Sequence, residues 1–160
     1  MAVDSTMVHV SDETWQTIQT HAVADYPDEC CGVVTEDASA VVRAHPCENI
    51  QDRLHEADPK THPRTARTAY RMDDLQVTRI LDDTEKAGGR MIAIYHSHVD
   101  CDAYFSEEDQ LAATFFGEPA YPNVSYLVVS VVDGEMKAKR AFVWDPDGSC
   151  FVEAVLAKLY

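Results

Sequence analysis

The sequence predicts an α/β (α+β) fold in which one curved mixed sheet is flanked by helices. Three features predict it. Strand and helix patterns alternate along the chain, and the helical patterns carry an apolar stripe. In the second half, two stretches of alternating apolar and polar residues are joined by a turn signal, as in a β-hairpin. With 160 residues, 46% of them hydrophobic, the chain is long enough for a substantial core. We therefore expect a single domain over residues 1–160, without internal repeats or linkers.

The first helix is predicted over residues 12–25. Ser11 can serve as its N-cap, and Pro27 ends it. Its apolar stripe, which should pack on the sheet, consists of Trp15, Ile18 and Ala22. Two short strands, 31–35 and 40–43, follow and should pair as a hairpin.

Residues 45–68 are predicted to be a long loop, because they show no apolar periodicity. Several Arg and Lys side chains make this stretch locally basic within an acidic chain. It is therefore either a solvent-exposed loop without a binding role or a loop that contacts a partner. Its histidines, His45, His55 and His62, lack the spacing of a second metal site and are expected at the surface.

The second half alternates between helices and strands. A helix should begin at Asp73 and stop at Gly88-Gly89, and an Asp133-Gly134 pair indicates a tight hairpin turn. The other predicted elements are a short strand at 68–71, a buried strand at 91–96, a helix at 107–116, a loop around Pro119 and Pro122, hairpin strands at 124–132 and 136–144, and a closing strand or helix at 151–160.

Composition excludes several classes of function. Thirteen basic against 28 acidic residues give a net charge of −15, which repels phosphate backbones, so no nucleic-acid partner is expected. The first residues lack a signal-peptide pattern, and no apolar run approaches the ~20 residues of a membrane span. Five cysteines without regular spacing indicate a reducing compartment. We therefore expect a cytoplasmic protein without a membrane partner.

A candidate metal site follows the buried strand. In an extended chain His96 and His98 project from the same side, so both imidazoles can bind one cation. Asp109, in the first turn of the next helix, can add a carboxylate. Three protein ligands with a fourth position left for water are typical of catalytic rather than structural zinc.

Two alternatives stay open at this point. Ser106-x-x-Asp109 is also the pattern of a helix N-terminus, with Ser as N-cap and an acidic residue in the first turn. Cys101 could replace Asp109 as the third ligand, because a thiolate binds zinc well. Asp109 is favoured because its helix preorganises it.

The motif resembles a known family. His96-Ser97-His98, seven residues, Ser106, two residues and Asp109 together are similar to the signature of the JAMM (MPN+, JAB) zinc metalloproteases. The resemblance extends upstream to the segment around Glu29 and covers nearly the whole chain, as in the compact prokaryotic branch. It departs at Val99, where members usually have Pro.

The resemblance implies a JAB/MPN-like fold and a set of roles. Zn²⁺ is expected on His96, His98 and Asp109, with Glu29 as general base and Ser106 as donor to the oxyanion. Asn49 falls in a segment that helps hold the substrate in this family, so it is the candidate substrate-binding residue.

The resemblance also implies an activity. The expected enzyme is a zinc metalloprotease or isopeptidase that cuts after the C-terminal Gly-Gly tail of a ubiquitin-like or sulfur-carrier protein, and a homodimer is compatible with it. Two alternatives remain: a catalytically silent scaffold or binding module of the same fold, and a zinc hydrolase of small amides.

Overall fold

A seven-stranded mixed sheet forms the centre of the computed structural model, which describes residues 7–157. Its strands lie in the order β1-β9-β8-β7-β4-β2-β3, and β1–β9 and β4–β7 are the parallel pairs. Helices pack against this sheet, so the predicted mixed sheet flanked by helices is confirmed. The elements in chain order are β1 (Met7–His9), α1 (Asp12–Asp25), β2 (Cys31–Glu36), β3 (Val42–Cys47), α2 (Gln51–Ala57), α3 (Asp74–Lys86), β4 (Arg90–Val99), α4 (Glu107–Ala113), β5 (Thr114–Phe115), β6 (Glu118–Pro119), β7 (Ser125–Val132), β8 (Glu135–Asp145) and β9 (Cys150–Ala157).

Helix α1 has the predicted bounds and packs on one face of the sheet. The Ser11 hydroxyl accepts a hydrogen bond from the Thr14 N–H at 3.3 Å, which confirms the N-cap. Ile18 and Ala22 are fully buried in a cluster that includes Tyr95 of β4. Burial of this apolar stripe holds α1 against the sheet.

Strand β4 separates two hydrophobic clusters and thereby orients the candidate metal ligands. Tyr95 belongs to the cluster beneath α1, whereas Ile94 belongs to the cluster on the other face. Because side chains alternate along a strand, His96 and His98 share the face of Ile94. The strand extends past the predicted 91–96 because it pairs with β7 as far as Val99.

The predicted loop at 45–68 is wrong in part. Strand β3 continues to Cys47, and α2 follows it. Helix α2 was not predictable from apolar spacing, because hydrogen bonds hold it: Gln51 Nε2 donates to the Arg64 carbonyl, and Asp52 accepts from the Ala66 N–H. The predicted short strand at 68–71 is also wrong, since the pairing there is an isolated bridge between Asn49 and Met72.

Predicted helix bounds hold for α3 but not for α4. Asp73 caps α3 through the Leu75 N–H at 3.0 Å, and the helix ends before Gly88-Gly89. Helix α4 ends at Ala113 instead of 116, because the chain turns into the β5–β6 hairpin through positive-φ residues Phe116 and Gly117.

The hairpin of β7 and β8 is confirmed. Asp133 and Gly134 both have positive φ, as a two-residue hairpin turn requires. The closing segment is a strand, β9, where the sequence left strand or helix open; residues 158–160 lie outside the described part. Within residues 7–157, no helix combines the length and apolarity needed to cross a bilayer.

Candidate active site

Two elements bring the three predicted metal ligands together. Strand β4 supplies His96 and His98, and the first turn of α4 supplies Asp109; all three are buried. The two Nε2 atoms lie 3.3 Å apart. Asp109 Oδ1 lies 3.2 Å from Nε2 of His96, and Oδ2 lies 3.1 Å from Nε2 of His98. The three side chains therefore converge on one point.

This donor set fits zinc. Tetrahedral zinc with bonds of about 2.0–2.1 Å places neighbouring ligand atoms about 3.3 Å apart, which matches the separations between the three side chains. Burial lowers the pKa of His96, which keeps this imidazole neutral and able to act as a ligand. Burial alone would raise the pKa of Asp109, but the neighbouring imidazoles and the Ser106 N–H outweigh it and hold that pKa well below its usual value. Asp109 is thus present as a carboxylate.

Ser106 and Asp109 form a capping box at the start of α4. The Ser106 hydroxyl accepts from the Asp109 N–H at 3.1 Å, and the Ser106 N–H donates to Asp109 Oδ2 at 3.0 Å. The helix-cap interpretation of this pattern is confirmed. Because the hydroxyl acts as acceptor in this pair, its own hydrogen remains available for a second partner.

Glu29 reaches the site through the pairing of β2 with β4. Cys31 lies opposite His96, and the Cys30 N–H donates to Ser97 Oγ at 2.7 Å on the far side of the strand. Glu29 lines a cleft of about 600 Å³ together with the site residues His98, Ser106 and Asp109. Its side chain is 6% exposed, and burial raises its pKa to about 8, although the charge of His98 acts in the opposite direction.

The basic stretch forms one wall of this cleft. Arg64 and Arg67 line it, and Arg64 pairs with Glu108 of α4 at 2.6 Å. This ion pair joins the two walls. His45, His55 and His62 lie outside the cluster of candidate ligands and are partly exposed.

Asn49, the candidate substrate-binding residue, directs its amide at the backbone. Its Nδ2 donates to the carbonyls of Glu29 and Ala69 at 2.9 and 3.1 Å. Its Oδ1 accepts from the N–H groups of Gln51 and Arg71 at 3.0 and 3.1 Å. The amide therefore braces the cleft wall, and a substrate contact of Asn49 stays a prediction.

The structure favours Asp109 over Cys101 as the third ligand. Cys101 lines the cleft but is exposed, and the cluster of candidate ligands within residues 7–157 contains His96, His98 and Asp109 without it. Sequence analysis missed Tyr70, whose ring stacks on His96 with a centroid distance of 4.5 Å. No motif marks a lone tyrosine that follows a loop, so this contact depends on the tertiary structure.

Comparisons with known proteins agree with the fold. The family model described as prokaryotic homologs of the JAB domain matches residues 11–145. A desampylase from Haloferax volcanii is 34% identical over 119 residues, which cover 73% of this chain and 72% of the relative. A CysO-cysteine peptidase from Mycobacterium tuberculosis is 30% identical over 125 residues, covering 76% and 72%. A solved structure from Desulfitobacterium hafniense shares the fold, with a TM-score of 0.67 and 21% identity, over 94% of this chain and 91% of the other.

Proposed function

Because this chain belongs to the prokaryotic homologues of the JAB domain, we propose that it is a zinc-dependent isopeptidase that cleaves after the C-terminal Gly-Gly tail of a ubiquitin-like or sulfur-carrier protein. The observation that carries the proposal is the convergence of His96, His98 and Asp109 in a cleft that Glu29 and Ser106 also line. The relatives named desampylase and CysO-cysteine peptidase support the substrate class. The cytoplasmic location and a homodimer stay predictions.

The metal would be held by Nε2 of His96, Nε2 of His98 and the carboxylate of Asp109. When bound, zinc supplies a Lewis acid that polarises the scissile carbonyl and lowers the pKa of a coordinated water to about 7. The buried position of the three ligands keeps bulk water from competing with the carboxylate.

Glu29 is proposed to take a proton from the attacking water and to return it to the leaving amine. A group that must both accept and release a proton works best with a pKa near the operating pH. In the metal-free protein burial raises the pKa of Glu29 to about 8. The positive charge of a bound zinc ion would lower this pKa toward neutrality and so favour the carboxylate that accepts the proton. This group therefore suits both proton transfers.

Ser106 is proposed to donate its hydroxyl hydrogen to the oxyanion of the tetrahedral intermediate. The cap interaction occupies the hydroxyl as an acceptor, which orients the oxygen and leaves its hydrogen for the substrate. A donor of this kind contributes about 3 kcal/mol to lowering the barrier.

The Arg64–Glu108 ion pair across the cleft is compatible with a substrate tail of small residues. Its two walls are joined by the ion pair of Arg64 and Glu108, so a substrate segment must pass beside this pair or displace it. Glycines carry no side chain and allow the closest approach of backbone to protein. We therefore propose that an extended Gly-Gly tail passes beside this pair.

The test compares wild-type protein with Glu29→Gln, and with Glu48→Gln as the matched control at an exposed acidic residue. The substrate is a carrier protein joined through its Gly-Gly terminus to a lysine side chain. We expect Glu29→Gln to keep its zinc content and to lose about 10²–10⁴-fold in turnover, while Glu48→Gln cleaves like wild type.

Three results would contradict the proposal. A Glu29→Gln variant that cleaves at the wild-type rate would remove the mechanism. Wild-type protein with full zinc content and no cleavage of any fusion would indicate a silent scaffold. Cleavage of small amides without cleavage of carrier fusions would indicate a small-amide hydrolase.

A further inference from the structure

The two histidines of the site are held in different ways. Nδ1 of His98 lies 2.9 Å from the Asp102 carbonyl, so a hydrogen bond sets the orientation of this ring. Nδ1 of His96 is buried and has no hydrogen-bond partner among residues 7–157. Metal-binding histidines almost always use that second nitrogen to fix the ring. Among the described residues, a contact other than a hydrogen bond therefore orients His96.

Tyr70 is the group in position to do so. Its ring stacks on the His96 imidazole with a centroid distance of 4.5 Å and an interplanar angle of 23°. Phe105 approaches the same imidazole at 6.5 Å and 55°, which is a looser contact. His96 is fully buried, so the flat face of Tyr70 restricts rotation of the imidazole about its side-chain bonds.

Tyr70 is itself held from both sides by one amide group. Asn49 donates to the carbonyl of Ala69 at 3.1 Å and accepts from the N–H of Arg71 at 3.1 Å, and these residues flank Tyr70. The same Nδ2 donates to the carbonyl of Glu29 at 2.9 Å. One side chain thus ties the stacked ring to the backbone of the candidate general base.

We propose that Tyr70 is a positioning residue of the zinc site, with Asn49 as its brace. The stacked ring does for His96 what the Asp102 carbonyl does for His98: it holds the imidazole with Nε2 directed at the metal position. The inference rests on the zinc binding of the proposed function and not on peptide cleavage.

The test measures zinc affinity by competition with a chromophoric chelator, using Tyr70→Leu, Tyr70→Phe and Tyr104→Leu. Tyr104 is the matched control, because its ring also contacts a candidate ligand, His98, with a centroid distance of 4.9 Å and an interplanar angle of 71°. The His98 imidazole, however, is already oriented by its hydrogen bond to the Asp102 carbonyl. We expect Tyr70→Leu to weaken zinc binding about tenfold or more, as loss of groups that orient a ligand does. Tyr70→Phe should stay within about twofold of wild type because the stacking ring remains, and Tyr104→Leu should lose less than Tyr70→Leu.

The thermal midpoint of each metal-free variant shows whether it folds. If Tyr70→Leu does not fold, Asn49→Asp replaces it in the test. That substitution keeps an acceptor but loses both N–H donors, so it should weaken zinc binding while the Tyr70 ring remains. The inference is overturned if Tyr70→Leu folds and binds zinc with wild-type affinity. Where Asn49→Asp replaces it, the same result for Asn49→Asp overturns the inference. So does a Tyr70→Phe that loses as much affinity as Tyr70→Leu. Zinc binding with the expected pattern but without cleavage would contradict the proposed function and leave this inference intact.

Discussion

Replacing Glu29 by glutamine should remove a large part of the pH dependence of stability in the metal-free protein. Glu29 is buried in the cleft, and burial raises its pKa from 4.5 to about 8. At neutral pH the folded protein therefore keeps this carboxyl protonated, whereas the unfolded chain releases the proton. Glutamine is neutral at every pH and has nearly the same shape.

The sign and size of the effect follow from these two pKa values. Because the folded-state pKa is raised, the contribution of Glu29 is fully present below pH 4.5 and is lost as the pH rises through about 8. At about 1.4 kcal/mol per pKa unit, the loss reaches roughly 3 kcal/mol by pH 7 and levels off at roughly 5 kcal/mol above pH 8.

The assay is urea unfolding of metal-free protein at pH 5.5, 7.0 and 8.5 in the presence of a chelator. The free energy of unfolding of wild type should fall between the outer pH values by about 3 kcal/mol more than that of Glu29→Gln. Glu29 and His98 influence each other's pKa, so the difference between the two profiles reports Glu29 together with its coupling to His98.

Glu48→Gln again serves as the control, because this side chain is largely exposed and its profile should follow wild type. Parallel profiles of wild type and Glu29→Gln would refute the reasoning. They would mean that Glu29 ionises in the folded protein as it does in water and does not lie buried beside the candidate ligands.

Three further predictions address the cap, the metal and the packing beneath the site. Ser106→Ala should cost about 1 kcal/mol of stability through the lost N-cap and lower turnover about 10²-fold or more. Unchanged turnover would mean that Ser106 only caps the helix and does not contact the oxyanion. Zinc at about 1,000 times its Kd should stabilise wild type by about 4 kcal/mol in thermal unfolding, and should leave His98→Ala unshifted; an equal shift in both would place the metal elsewhere. Gly32→Ala should lower the free energy of unfolding by about 3 kcal/mol in urea unfolding. The added Cβ would lie 2.4 Å from the Tyr95 ring and 2.5 Å from the His45 carbonyl. A loss below about 1 kcal/mol would show that the strand can shift to accommodate the methyl group.

Local patterns in the sequence were sufficient for those elements whose residues interact with near neighbours. Helix α1 begins and ends as predicted, because Ser11 caps it and its apolar stripe repeats within one helix. The β7–β8 hairpin follows from the positive φ that Asp133-Gly134 accepts. In the same way, strand periodicity was sufficient to place His96 and His98 on one face.

Elements held by distant partners could not be predicted in this way. Helix α2 has no apolar stripe, and its hydrogen bonds reach residues that are 13 and 14 positions away. The sequence of the final strand, β9, is equally compatible with a helix, and its pairing with β8 and β1 selects the strand. Here tertiary contacts, and not local propensity, select the structure.

The sequence by itself predicted His96 and His98 as candidate donors on one strand, and it favoured Asp109, at the start of one helix, over Cys101 as the third, because such spacings depend only on local geometry. It also led to Glu29 and Ser106, through the resemblance to a family. Only the tertiary structure decided that Glu29 lies in the same cleft as the donors, since that depends on the pairing of β2 with β4. It likewise decided that Tyr70 covers His96, and that Asn49 braces both Tyr70 and Glu29. These contacts join residues that are far apart in the chain, and the free energy of packing and of buried hydrogen bonds selects them.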